Sequence, residues 1–132
     1  MSRVAVSGAT GFIGRQAIKF LKGRGFEVHC LTSKDVTCST ETNVIWHQVN
    51  LLSGKECSKF FETIAPTHLL HFAWYAAPGK YQSSDLNLEW TKASLQMLRD
   101  FHANGGKRAT FAGTCFEYDL KFGFCVESVT LA

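Results

Sequence analysis

Seven residues near the start of the chain, Gly8-Ala9-Thr10-Gly11-Phe12-Ile13-Gly14, place three glycines at Gly-x-x-Gly-x-x-Gly spacing. Before them lies Val4-Ala5-Val6-Ser7, short, apolar and partly β-branched, which reads as a buried strand. After them, Phe12, Ile13, Ala17, Ile18 and Leu21 recur at helical spacing, with Arg15, Gln16, Lys19 and Lys22 filling the other face. A strand that runs through glycines into a helix gathers free backbone amides and the positive end of the helix dipole around one small volume, which suits phosphate oxygens. Gly8 permits a sharp exit from the strand, Gly11 a close approach of backbone to phosphate, and Gly14 close packing of helix on strand. The spacing differs from the Gly-x-Gly-x-x-Gly form, and glycines also mark ordinary turns. The position of this turn, at the first strand-to-helix junction of an alternating pattern, points to the pyrophosphate of a dinucleotide.

The elements that would position this turn follow in order. A helix from Phe12 to about Lys22 is ended by Gly23 and Gly25, and a second strand spans Phe26 to Leu31. A polar loop from Thr32 to Thr42 leads to a third strand at Asn43 to Val49. Gly54 to Ile64 predicts a helix stopped by Pro66, and Thr67 to Ala73 a fourth strand. The longest helical pattern runs from Asp85 to Ala103, with Leu88, Thr91, Leu95, Leu98 and His102 on its apolar side and Leu86, Trp90, Met97 and Phe101 broadening it. Asn104-Gly105-Gly106 ends it, and Arg108 to Ala112 gives a fifth strand that leaves the sheet at Gly113-Thr114-Cys115. Strands alternating with helices predict an α/β fold, a doubly wound parallel sheet of five strands with helices on both faces. A chain of 132 residues accommodates this as one domain, residues 1–132.

Composition removes several functions. The formal net charge is +3 and the lysines and arginines are scattered, so no basic stripe marks a nucleic-acid surface. Met1-Ser2-Arg3 runs straight into a strand, so neither a signal peptide nor a membrane span is expected and the predicted location is cytoplasmic. Five cysteines, Cys30, Cys38, Cys57, Cys115 and Cys125, form an odd set without a Cys-x-x-Cys pair, and reduced thiols at mostly buried positions are expected. His68 and His71 lack a third ligand at metal spacing, so they read as structural histidines and no metal site is predicted. Cys115 reads as a packed thiol. Trp74, Tyr75 and Tyr81 suit either a sugar site or packing over the sheet edge.

The run Val6-Ser7-Gly8-Ala9-Thr10-Gly11-Phe12-Ile13-Gly14 closely resembles the glycine motif of the extended short-chain dehydrogenases/reductases, the Rossmann-fold NAD(P)-dependent epimerases and dehydratases of nucleotide-activated sugars. The resemblance extends over nearly the whole chain. It implies cofactor contacts from Gly8, Thr10, Gly11, Phe12, Ile13 and Gly14. Asn50-Leu51 resembles the family's Asp-Leu pair beside the adenine, with the Asn50 amide in the acid's place. His71-Phe72-Ala73 resembles the segment passing the nicotinamide-side ribose, which brings Phe72 and Ala73 to the cofactor, and Asn87 resembles a recurrent structural asparagine. Gly113-Thr114-Cys115 resembles the strand end with the catalytic Ser or Thr, so Thr114 is the hydroxyl assigned to a substrate oxygen. The run from Ala112 to Asp119 is similar to that of bacterial enzymes making deoxysugars for surface polysaccharides.

A carboxylate at the end of the second strand usually holds the adenosine ribose of NAD. Thr32-Ser33-Lys34 stands there instead, and Ser33 with Lys34 could bind a 2′-phosphate, so NADP is preferred over NAD; Asp35, slightly later, could still reach the ribose, and a solvated Lys34 is an equal alternative.

The family's proton transfer uses a Tyr with a Lys four residues later on one helix. Here Tyr75, Tyr81 and Tyr118 are followed at that spacing by Gly79, Asp85 and Phe122. The resemblance places that pair, a sixth strand and most of the sugar site after Ala132, so the chain is expected to be the N-terminal part of an enzyme, truncated before the sixth strand and inactive alone. A non-catalytic dinucleotide-binding or regulatory module and an inactive remnant are the alternatives. The expected partners are a dinucleotide and, in the intact enzyme, a nucleotide sugar, and an exposed sheet edge beside the fifth strand would allow homo-oligomers.

Overall fold

A computed structural model describes residues 2–35, 43–119, 121, 123–126 and 128. The elements are β1 (Arg3–Ser7), α1 (Phe12–Lys22), β2 (Glu27–Thr32), β3 (Val44–Gln48), α2 (Gly54–Ile64), β4 (His68–His71), α3 (Leu86–Ala103) and β5 (Arg108–Phe111), with 3-10 turns at Tyr81–Ser83 and Cys115–Glu117. The five strands form one sheet in the order β3-β2-β1-β4-β5, and every pairing is parallel. The order turns back at β1, so the C-terminal ends of β1 and β4 flank the crevice where sheets of this kind take ligands. Register aligns Ser7 with His71 across that crevice.

Strand alternation divides the core in two. Val4, Val6, Val28, Cys30 and Val44 face Ile18 and the partly buried Leu21 of α1. Ala5, Leu31 and Leu69 face α2 and α3, which supply Cys57, Phe60, Phe61, Met97 and Phe101. This is the expected doubly wound arrangement with helices on both faces. The second layer is the larger one, knit by edge-to-face contacts from Phe60 to Phe61 and from Phe61 to Phe101. Truncating Phe61, which is fully buried, to Ala removes about 3–5 kcal/mol.

Helix ends follow local chemistry. Lys19 and Lys22 lie in the last turn of α1, and Gly25 takes a left-handed φ of 74° just beyond it. The Ser53 hydroxyl accepts from the Glu56 amide at the start of α2, and Ala65 at φ 45° closes that helix ahead of Pro66.

Three expectations are corrected. β4 ends at His71 instead of Ala73: the Phe72 amide is shared between the carbonyl and hydroxyl oxygens of Ser7, and the Ala73 amide turns to that hydroxyl. On α3, the packed stripe is Trp90, Ser94, Met97 and Phe101, while Leu88, Leu95 and Leu98 are 65%, 54% and 39% exposed. Both stripes repeat at helical spacing; the buried one carries the aromatic and thioether bulk that fills the space over β1 and β4 and against α2. Cys30 and Cys57 are buried, but Cys115 and Cys125 are exposed, with no described element packed over the segment after β5, so Cys115 is not the packed thiol expected; Cys38 lies outside the described residues. Burial pushes the Cys57 thiol up to about 11, keeping it protonated and inert.

Candidate functional site: the glycine turn and the crevice beside it

β1 delivers the chain into the crevice, and Gly8, at φ 66°, turns it out of the sheet. A Cβ on Gly8 would lie 2.7 Å from the Ala73 nitrogen and 2.8 Å from the Phe72 carbonyl carbon, so the turn rests directly on the segment leaving β4. A Cβ on Gly14 would collide with the Gly8 carbonyl oxygen and the Ala9 Cα, both backbone atoms that cannot step aside. Glycine at these two positions is therefore required by space.

The first bond of α1 runs from the Arg15 amide to the Gly11 carbonyl. The amides of Phe12, Ile13 and Gly14 precede it and belong to the group a helix leaves without internal acceptors. Gly11 is the N-cap in extended conformation, no side chain caps the helix, and no acidic residue occupies its first turn. Thr10, Gly11, Phe12 and Ile13 are exposed, with Phe12 at 86%, so this end of the helix is open to a ligand. Uncapped amides, a positive dipole end and a turn close-packed through its glycines fit a pyrophosphate.

Two arms extend from the turn. Toward β2 and β3, Ser33 and Lys34 are exposed just past the β2 end. The Thr32 hydroxyl accepts from the Lys34 amide, and the Gln48 amide donates to Asp35 at 3.2 Å, engaging the only nearby acid among the described residues of this loop. Asn50 is exposed; its Oδ1 accepts from the Leu52 amide, and its own backbone amide donates to Glu56. Leu51 is buried in the core under α2 and α3, so it can reach a cofactor only through its backbone.

Toward β4 and β5 lies a cavity of about 740 Å³. Phe72, Ala73, Trp74, Tyr75, Tyr81 and Thr114 are among its walls, so the three aromatic residues that suit either a site or an edge all line the cavity. Asn87 ties two of them down: its side-chain oxygen accepts from the Trp74 indole at 2.9 Å, and its amide donates to the Tyr81 backbone carbonyl at 2.6 Å. The Thr114 hydroxyl oxygen accepts from the Phe116 amide at 3.3 Å, capping the short turn there, and Thr114 is exposed at the cavity wall.

Three further residues meet at the crevice that the sequence did not single out as a group. The Ser7 hydroxyl lies 2.6 Å from His71 Nδ1 and accepts from the Phe72 and Ala73 amides, while His71 Nε2 lies 2.9 Å from the Ser94 hydroxyl. His71 is 4% exposed, and burial lowers its pKa to about 4, so it is neutral at physiological pH. The one signal for this group was a serine placed inside the apolar stripe of α3. No trio of His, Cys, Asp or Glu among the described residues could hold a metal ion, and no described helix is long and apolar enough to cross a membrane.

The sequence model of the NAD dependent epimerase/dehydratase family matches residues 4–125. Nothing among curated proteins matches the sequence. Among solved structures, the chain is similar to the UDP-glucose 4-epimerase of Thermus thermophilus in complex with NAD, at 26% identity and a TM-score of 0.79, over 95% of this chain and 42% of that one. It is also similar to UDP-glucose 4-epimerase of Thermotoga maritima with UDP-glucose, at 18% identity and a TM-score of 0.75, over 88% of this chain and 39% of that one. A third match is the Bordetella bronchiseptica enzyme WbmG in complex with NAD and UDP, at 16% identity and a TM-score of 0.72, over 86% of this chain and 38% of that one. The chain thus spans well under half the length of each of these three proteins. The family match covers the glycine turn, the crevice and Thr114 together, and the chain belongs to the NAD dependent epimerase/dehydratase family.

Proposed function

We propose that this chain is the dinucleotide-binding part of an enzyme that epimerises, dehydrates or reduces a nucleotide-activated sugar. The observation that carries the reading is the open N-terminus of α1, whose Phe12, Ile13 and Gly14 amides are left to a pyrophosphate by the absence of any side-chain cap. The dinucleotide, when bound, supplies hydride exchange with a sugar carbon. The chain's own residues do the rest: Gly8, Thr10, Gly11 and Gly14 shape the cradle, Phe12 and Ile13 give amides, and Phe72 and Ala73 border the nicotinamide-side arm. Thr114, on the cavity wall, donates a hydrogen bond to the reacting sugar oxygen. Asn50 and the Leu51 backbone approach the adenine. The proton-handling Tyr and Lys are supplied by chain outside these residues.

The preferred dinucleotide is NADP. Asp35 is engaged by Gln48, and Ser33 and Lys34 stand exposed where a 2′-phosphate would lie. The T. thermophilus and B. bronchiseptica structures contain NAD, which makes the choice directly testable. Calorimetric titration of the purified chain with NADPH and NADH at matched salt is expected to show saturable binding of both, tighter for NADPH. Tighter NADH binding would overturn the ribose assignment, and no binding of either by a folded chain would overturn the cradle.

A further inference from the structure

The hydrogen-bond group of Ser7, His71 and Ser94 joins β1, β4 and α3 around the head of the crevice, and its direction can be worked out by counting. A serine hydroxyl has two acceptor lone pairs and one hydrogen. Both acceptor sites of Ser7 Oγ are taken, one by the Phe72 amide at 3.2 Å, which it shares with the Ser7 carbonyl oxygen at 3.3 Å, and one by the Ala73 amide at 3.3 Å. The remaining contact, 2.6 Å to His71 Nδ1, must use the Ser7 hydrogen, so Nδ1 is the acceptor. A neutral imidazole accepting at Nδ1 carries its hydrogen on Nε2, and Nε2 therefore donates to Ser94 Oγ at 2.9 Å. The opposite direction would give Ser7 three donors and leave its own hydrogen with none of these atoms to bond.

The relay ends on Ser94. That side chain is 9% exposed, its oxygen is already an acceptor from His71, and it lines the 740 Å³ cavity. Its own hydrogen is left to be offered to whatever occupies the cavity. The other end of the relay fixes Phe72 and Ala73, the backbone packed so closely on Gly8 that a Cβ there would lie 2.7–2.8 Å from it.

We infer that His71 is a positioning residue: held as the Nε2–H tautomer by Ser7, it aims the Ser94 hydroxyl as a donor to an acceptor atom on the nicotinamide-side arm of the bound dinucleotide. This rests on the dinucleotide reading above and extends it by assigning Ser94 a ligand contact. Ser7 sets the tautomer, His71 transmits it across 64 and 23 residues of sequence, and Ser94 delivers it.

The test separates the two arms of the ligand. ADP carries only adenosine and pyrophosphate, whereas NADH adds the arm that enters the cavity. Ser94→Ala is expected to weaken NADH about fivefold to tenfold, a fold-change typical of one lost hydrogen bond. It should leave ADP within twofold, while the His71 Nε2–H left without an acceptor lowers the unfolding midpoint by a few degrees. Ser94→Thr, which keeps the hydroxyl, should restore NADH affinity. His71→Gln, which can place an amide N–H near the Nε2 position, should bind NADH more tightly than His71→Asn. Nitrogen-15 spectra of labelled histidine provide a readout that needs neither ligand nor substitution: His71 is expected as the neutral Nε2–H form. An Nδ1–H form, or equal losses for ADP and NADH in Ser94→Ala, would overturn the relay while leaving the dinucleotide reading intact. If ADP and NADH both fail to bind the folded wild-type chain, both readings fall.

Discussion

The starts of α1 and α2 solve the same physical problem in opposite ways. Each helix has 11 residues and unbonded amides in its first turn. At α2, Ser53 accepts from the Glu56 amide, and Glu56 adds an acidic group to the first turn while accepting from the Asn50 amide at 2.8 Å. At α1, Gly11 offers no side chain, and the first turn has no acid. A cap stabilises a helix start by about 1 kcal/mol, and Gly falls only a few tenths short of the best caps. Omitting the side chain from α1 therefore costs the fold little and leaves the amides accessible. Where a helix start only has to hold together, the sequence uses Ser and Glu; where it faces the crevice, it uses glycine packed on glycine.

That contrast can be broken most severely at Gly14. A Gly14→Ala methyl would meet the Gly8 carbonyl and Ala9 backbone, and overpacking of this kind costs about 3 kcal/mol. Urea denaturation should show that loss, and dinucleotide titration should show binding reduced beyond detection.

Acid should reach the same crevice through His71. Burial lowers its pKa from 6.5 to about 4, so between those values the unfolded chain holds more protons and stability falls as pH falls. The full effect is roughly 3 kcal/mol, reached near pH 4. His71→Gln should flatten the slope relative to wild type over that range in urea denaturation at stepped pH. His47, whose pKa is lowered first by burial and then by the neighbouring His29, contributes equally to both proteins and drops out of the difference.

Turning α1 into a capped start sharpens the contrast. Gly11→Asp should cost at most about 1 kcal/mol, because Gly11 already has extended N-cap geometry while an added Cβ would lie 3.2 Å from the Gly8 carbonyl oxygen. The added carboxylate occupies the amides and repels phosphate, so dinucleotide affinity should fall at least about tenfold. The reciprocal change, Ser53→Ala, should cost about 1 kcal/mol by thermal unfolding and leave affinity unchanged. The smallest effect is expected at Lys34: exposed and without a described ion-pair partner, it should give a roughly threefold loss for NADPH on Lys34→Ala and none for NADH.

The fold is legible in the sequence because apolar periodicity and glycine punctuation act locally. The bounds of α1 and α2 agree to the residue with their sequence patterns, and those of β2 and β3 agree within a residue at each end. The glycine cradle is legible for the same reason, since all its parts lie within seven consecutive positions. The polar relay is not, because Ser7, His71 and Ser94 meet only through strand pairing and the crossing of α3, and a polar residue in an apolar stripe does not announce its partner. The orientation of α3 escapes the sequence pattern because its two leucine-rich and aromatic stripes satisfy the same helical period, and only the volume available above the sheet decides between them.

The most direct test of the central claim is a proton–nitrogen correlation spectrum of the labelled chain recorded during titration with NADPH. The amide signals of Phe12, Ile13 and Gly14 should shift together and saturate at one dissociation constant, while the signals of the capped first turn of α2 stay in place. Saturable binding that leaves those three amides unmoved would contradict the account.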